Sequence, residues 1–147
     1  MKLTSREEDY LETIYRLSLE SDTVGITDVA RERGVTLPTV ISAVSRLKGN
    51  GLVRQQPYGK IFLSRSGIRK AEEIFQAHRT LNTFLTEVLR IPEETAEKEA
   101  CRMEHGLSKE TLRRLTTFLD FIMNCPARDS RSLDKRFNNK NRKLSCQ

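Results

Sequence analysis

Residues 97–108 read Glu-Lys-Glu-Ala-Cys-Arg-Met-Glu-His-Gly-Leu-Ser, and within them Cys101, Glu104 and His105 stand at i, i+3 and i+4. On a helix that spacing brings a thiol, a carboxylate and an imidazole to one face, within reach of a single ion. All three side chains bind transition metals once deprotonated, and none suits an apolar core. A half-buried Cys with two solvated neighbours produces the same pattern, so the triplet alone does not decide the matter. Other candidate donors are few. The only other histidine, His78, lies on the apolar stripe of a long helical pattern, where a core histidine bonded to a carbonyl is the ordinary occupant. Asp9 and Glu12 form an i, i+3 carboxylate pair near the start of the first helical pattern, a position that the helix dipole also favours.

The elements that must position these groups read mostly as helices. Thr4 or Ser5, followed by Glu7 or Glu8, starts a first helix that runs to about Glu20. Thr27 caps a short helix over 28–33 that Gly34 ends, and Thr36 caps a third helix with Pro38 in its first turn and Val40, Val44 and Leu47 on its apolar face. Two helices joined by a tight turn form a helix-turn-helix. Residues 52–56 and 60–64, either side of Pro57-Tyr58-Gly59, then predict two short strands, the wing behind a recognition helix. Residues 66–89 predict a long helix with two apolar stripes, one more than a surface helix needs, so one stripe is expected to face a second subunit. Pro92 opens the helix that carries the triplet, and Ser108 caps a last one with Leu112, Leu115, Leu119 and Ile122 on one face. The expected domains are 1–65, a winged helix-turn-helix; 66–125, a helical metal-binding and dimerisation domain; and 126–147, a basic, disordered tail.

Charge supports a polyanion partner. The net +6 is concentrated: residues 27–70 carry +7 and residues 126–147 carry +5, while the segments before and between are each −3. Such a footprint fits nucleic acid. Thr36, Thr39, Ser42 and Arg46 on the recognition helix are the expected base or phosphate contacts, with Arg54, Lys60 and Arg65 on the DNA backbone. Cys101, Cys125 and Cys146 make no disulfide framework and favour a reducing compartment, and no apolar run reaches a membrane span. A cytoplasmic protein is expected. No His-Glu-x-x-His, Gly-x-Ser-x-Gly or Gly-rich phosphate loop is present, so no catalytic residues are assigned.

Taken together, Asp9-Tyr10-Leu11-Glu12-Thr13-Ile14-Tyr15, the helix-turn-helix from Thr27 to Leu47, Gly51-Leu52-Val53, His78-Arg79 and Glu99-Ala100-Cys101-Arg102-Met103-Glu104-His105 resemble the diphtheria-toxin-repressor and manganese-transport-regulator family over residues 4–124. The resemblance implies a homodimeric winged-helix repressor that binds double-stranded operator DNA when loaded with Fe(II) or Mn(II), of the short type without an SH3-like domain. It assigns Asp9, Glu12, His78, Glu104 and His105 to the ligand positions of the manganese branch. Cys101 matches the iron branch instead, while Asp9 stands where that branch has Met. The iron branch's accessory site is incomplete, because Glu97 and Asn82 occupy two of its positions. Co, Ni or Zn would also fit such donors. A divalent-metal-dependent repressor of metal-uptake genes is therefore expected; the alternatives are a metal-independent winged-helix regulator and a small metallo-hydrolase.

Overall fold

The computed structural model describes residues 3–124, so the expected tail at 126–147 lies outside the described residues. The chain divides into two units, one extending to Gln76 and the other starting at Ala77.

The first unit begins with α1 (Ser5–Glu20), capped by Thr4. The Thr4 hydroxyl accepts the Glu7 N–H at 3.3 Å, and the Glu7 carboxylate accepts the Thr4 N–H at 2.8 Å, which satisfies two amides that the helix leaves open. Next comes β1 (Val24–Gly25), inside what the sequence reads as a break. Two residues are too few to show a strand period. Helix α2 (Ile26–Arg33) starts two residues before the expected point, and Thr27 is not its cap. Asp28 accepts the Gly25 N–H at 2.8 Å, so a first-turn carboxylate closes the helix start instead of a hydroxyl. Gly34 ends α2 at φ 61°, a left-handed turn open to residues without a Cβ.

Helix α3 (Leu37–Gly49) follows Thr36, with Pro38 in its first turn. Then come β2 (Val53–Gln55), a 3₁₀ turn over Pro57–Gly59, and β3 (Lys60–Leu63), the expected wing. The sheet is antiparallel in the order β1-β3-β2, with Val24 opposite Ile61 and Val53 opposite Leu63. Leu11, Ile14, Val29, Val40, Val44, Leu47 and Ile61 pack as one core, each removed from water almost completely and worth about 2 kcal/mol of burial. Helix α4 (Arg65–Thr83) begins in this unit. Its Lys70 pairs with Glu8 at 2.9 Å, and Phe75 meets Tyr15 edge-on with ring centres 5.8 Å apart. Gly67 sits so close to Leu52, the residue that leads into β2, that a Cβ there would lie 2.0 Å from the Leu52 carbonyl oxygen.

In the second unit the helical path after Thr83 widens into a π turn over Phe84–Val88. It stops where Arg90 takes φ 57°, and the Ile91 N–H donates back to the Leu85 carbonyl at 2.9 Å. Pro92, unable to continue a helix behind it, caps α5 (Glu93–Glu104). The Ser108 hydroxyl accepts the Thr111 N–H at 3.1 Å and starts α6 (Lys109–Asn124). A second core gathers Leu81, Leu85, Ala96 and Ala100, with Phe84, Leu89, Ile91, Leu107 and Leu115 against it.

Of the two apolar stripes, Ala71, Ile74, Ala77 and Leu81 are buried within the chain, while Phe75, Phe84, Val88 and Leu89 are half-buried and Ile68 is exposed. Three of the large apolar residues most open to solvent, Phe118, Phe121 and Met123, are on α6; Leu19 on α1 and Leu37 and Ile41 on α3 are also exposed.

Candidate metal centre and nucleic-acid interface

Helix α5 presents the triplet as its spacing requires, with one refinement. Cys101 and Glu104 belong to the helix, while His105 is its C-terminal cap, still in helical conformation. One donor atom from each of Cys101, Glu104 and His105 lies within 4.8 Å of the other two. Glu104 is the centre of the group. Its side chain is 1% exposed, and its Oε2 accepts a hydrogen bond from His78 Nδ1 at 2.8 Å. The other oxygen, Oε1, is buried without a hydrogen-bond partner, 3.5 Å from His105 Nε2. A buried carboxylate oxygen without a partner is costly, and a divalent ion is the occupant that the neighbouring thiol and imidazole suit. The donor set therefore fits a metal.

His78 is more than a ligand candidate on an apolar stripe. Its Nε2 meets Glu97 Oε2 at 2.9 Å, and Asn82 donates to that same oxygen at 2.7 Å. The two positions at which the accessory site departs from the iron branch thus hold each other and His78. Clasped between two carboxylates, His78 is pushed up to about 9, first by the hydrogen bond to Glu104 and further by Glu97, against the opposing effect of burial. Without metal the ring is an imidazolium at neutral pH. The stability this adds is complete below the unfolded value near 6.5 and is lost as pH rises through about 9. The metal-free chain should lose about 2 kcal/mol of unfolding free energy across that window, less than the full shift because Glu97 is half exposed. Urea unfolding in chelator at a series of pH values checks this. His78→Gln should remove the loss, and parent-like pH dependence in that variant would refute the clasp.

In the first unit α1 carries Asp9 and Glu12 one turn apart. Glu12 is buried, and Asp9 Oδ2 accepts from Arg33 Nη2 at 3.1 Å. The sequence holds no hint of that last contact, since Arg33 lies 24 positions away at the end of α2 and reads as one of the nine basic residues in segment 27–70.

The DNA-facing candidates are all exposed. Thr36 and Thr39 share a hydroxyl hydrogen bond of 2.9 Å at the start of α3, and Ser42 and Arg46 follow at helical spacing on its outer side. Arg54 and Lys60 project from the wing, and Arg65 opens α4. This is a helix with small polar and basic residues outward and Val40, Val44 and Leu47 inward, suited to a major groove. Among the described residues no helix is long and apolar enough to cross a membrane.

The comparisons with known proteins agree with this geometry. Residues 2–61 match the N-terminal DNA-binding domain of the iron-dependent repressors, and residues 64–132 match their metal-binding and dimerisation domain. An HTH-type transcriptional regulator of Methanocaldococcus jannaschii is 38% identical over 77% of this chain and 91% of its own. The transcriptional regulator MntR of Salmonella typhimurium is 34% identical over 76% of this chain and 70% of its own. The solved structure of the manganese regulator SloR superimposes with a TM-score of 0.71 at 29% identity, covering 78% of this chain; the chain spans about half (54%) of that structure's length. The chain belongs to the iron-dependent repressor family, whose members are metal-dependent, DNA-binding transcriptional regulators and not enzymes.

Proposed function

We propose that this protein is an Fe(II)- or Mn(II)-dependent repressor of metal-uptake genes that binds operator DNA as a homodimer in the cytoplasm. Residues 1–65 are its DNA-reading half and residues 66–125 its metal-sensing and dimerising half. The ligands are Asp9 and Glu12 from the first and His78, Cys101, Glu104 and His105 from the second. The observation that carries the proposal is the buried Glu104 carboxylate, with one oxygen lacking any hydrogen-bond partner beside Cys101 and His105. The exposed Phe118, Phe121 and Met123 of α6 support a subunit contact.

A bound divalent ion supplies positive charge that several carboxylates and a thiolate can share. The chain's own groups do the rest. In the metal-free protein His78 supplies a single positive charge between Glu97 and Glu104, and Arg33 supplies one for Asp9. To act as a ligand His78 must give up its proton, so metal loading and proton release are linked. Donors from both halves tie the angle of α1, and with it the placement of α3, to metal availability. In a dimer that angle decides whether two recognition helices match half-sites about one helical turn apart.

Operator binding measured anaerobically with Mn(II), Fe(II), Zn(II) and chelator tests this reading; binding that ignores all four conditions would end it. Cys101 sets the preference between metals. A thiolate favours Fe(II) over the oxygen-preferring Mn(II), so Cys101→Glu should raise Mn(II) affinity relative to Fe(II) and Co(II) by about tenfold. Competition titrations measure that ratio. An unchanged ratio would assign Cys101 to packing alone.

A further inference from the structure

Arg33 carries an arrangement that the ligand set does not explain. Its Nη2 pairs with Asp9 Oδ2 at 3.1 Å and its Nη1 donates to Thr13 Oγ1 at 3.3 Å. Its guanidinium lies 4.9 Å above the Tyr10 ring centre. The pair is mostly shielded, with side chains 28% and 17% exposed, so screening by salt is weak. Arg33 Nε is buried without a hydrogen-bond partner, so the cation is held but not saturated. The same guanidinium lines a cleft of about 620 Å³ together with Arg6, Thr39, Ser42 and Arg46. Thr39, Ser42 and Arg46 are on α3 and among the proposed operator contacts, so one side chain touches a proposed metal ligand and also borders the cleft beside them.

We propose that Arg33 relays charge between Asp9 and the phosphate backbone of operator DNA. The inference rests on the metal-dependent reading above and names how occupancy is passed to the DNA. In the metal-free chain Arg33 and Asp9 cancel, and DNA meets Arg6 and Arg46 in the cleft, offset in part by the Glu7 carboxylate that lines it with them. When Asp9 shares its charge with a metal, Arg33 is no longer compensated, and the cleft gains one further cation. By linkage the effect is reciprocal: phosphate drawn to Arg33 leaves Asp9 a better donor, so DNA tightens metal binding. Without DNA, Arg33 opposes metal, because a guanidinium on a ligand carboxylate withdraws charge from it.

Arg33→Met keeps length and helix propensity and removes the charge. Two readouts are expected. Mn(II) affinity in the absence of DNA, by calorimetry, should rise about tenfold, the scale on which groups touching a ligand alter affinity. The log–log salt slope of operator binding should fall by about 0.9 with metal and stay unchanged in chelator. Asp9→Asn in chelator should steepen the slope by about 0.9, and adding Arg33→Met should cancel that gain. Arg33→Lys, which keeps the charge, should retain the metal-loaded slope and guards against loss through misfolding. A slope that falls equally with and without metal would make Arg33 an ordinary phosphate contact and overturn the relay. Unchanged metal affinity and slope would reduce the pair to a structural tie between α1 and α2. Parent operator binding that ignores Mn(II) and Fe(II) would be a separate failure, that of the metal-switch reading, and the relay would fall with it.

Discussion

Replacing Glu104 with Gln should abolish operator binding at metal concentrations that saturate the parent, while the metal-free chain stays folded. Gln has the same volume and still offers His78 Nδ1 an acceptor, so the clasp geometry at 2.8 Å survives in weaker form. What is lost is the one fully buried negative charge among the α5 donors, and with it a proposed metal ligand. Groups that only support a ligand already cost tenfold to a hundredfold when removed, so metal affinity should fall about 100-fold or more, close to 3 kcal/mol. Fluorescence anisotropy of labelled operator, titrated with Mn(II) and with anaerobic Fe(II), reads the activation. Circular dichroism in chelator reads the fold. Parent-like activation by either metal would remove Glu104 from the ligand set and leave its buried oxygen unexplained.

Gly67→Ala should be the most destabilising small substitution in the first unit. Its Cβ would lie 2.0 Å from the Leu52 oxygen and 2.9 Å from the Leu52 carbonyl carbon, both backbone atoms that no rotamer change can move. Nor can Leu52 retreat freely. Its carbonyl accepts the Ser64 N–H at 2.9 Å, and the Ser64 hydroxyl in turn accepts the Gly67 N–H at 3.0 Å and donates to the Gly51 carbonyl at 2.7 Å. Relief therefore breaks the join between the wing and α4. Overpacking of side chains typically costs 1–3 kcal/mol; against backbone the cost should be about 3 kcal/mol or more. Gly49→Ala, with nothing within 4 Å of the added carbon, is the control and should be neutral or gain a few tenths of a kcal/mol through helix propensity. Urea unfolding compares the two, and equal midpoints would show that the Leu52 approach is relieved cheaply.

Local periodicity made much of this legible. The Cys-Glu-His triplet, the turn between α2 and α3, and the wing around Pro57-Tyr58-Gly59 each arise from neighbours about ten residues apart or closer, and the structure has them where spacing puts them. Groups meeting across long stretches of chain were hidden. Arg33 finds Asp9, and His78 finds Glu97 and Glu104, through packing that no local pattern announces. Glu97 and Asn82 read singly are gaps in an accessory site; in the structure Asn82 donates to the Glu97 oxygen that also meets His78. Strand β1 was missed for a different reason, since two residues show no period. For the two stripes of α4, apolar spacing says that a face is covered without saying by what.

The two cores share no residue and do not interleave along the chain: the first is complete at Ile74, and the second begins at Leu81. Synthesis runs from the N-terminus, so every residue that packs the DNA-reading fold leaves the ribosome before His78, Cys101, Glu104 or His105 has emerged. A half-made regulator thus has a reading head but only two of the six proposed ligands, Asp9 and Glu12. If that head held operator tightly by itself, each round of translation would silence its targets for a moment regardless of metal. A chain ending at residue 76 is therefore expected to bind operator weakly, with full affinity depending on parts made last.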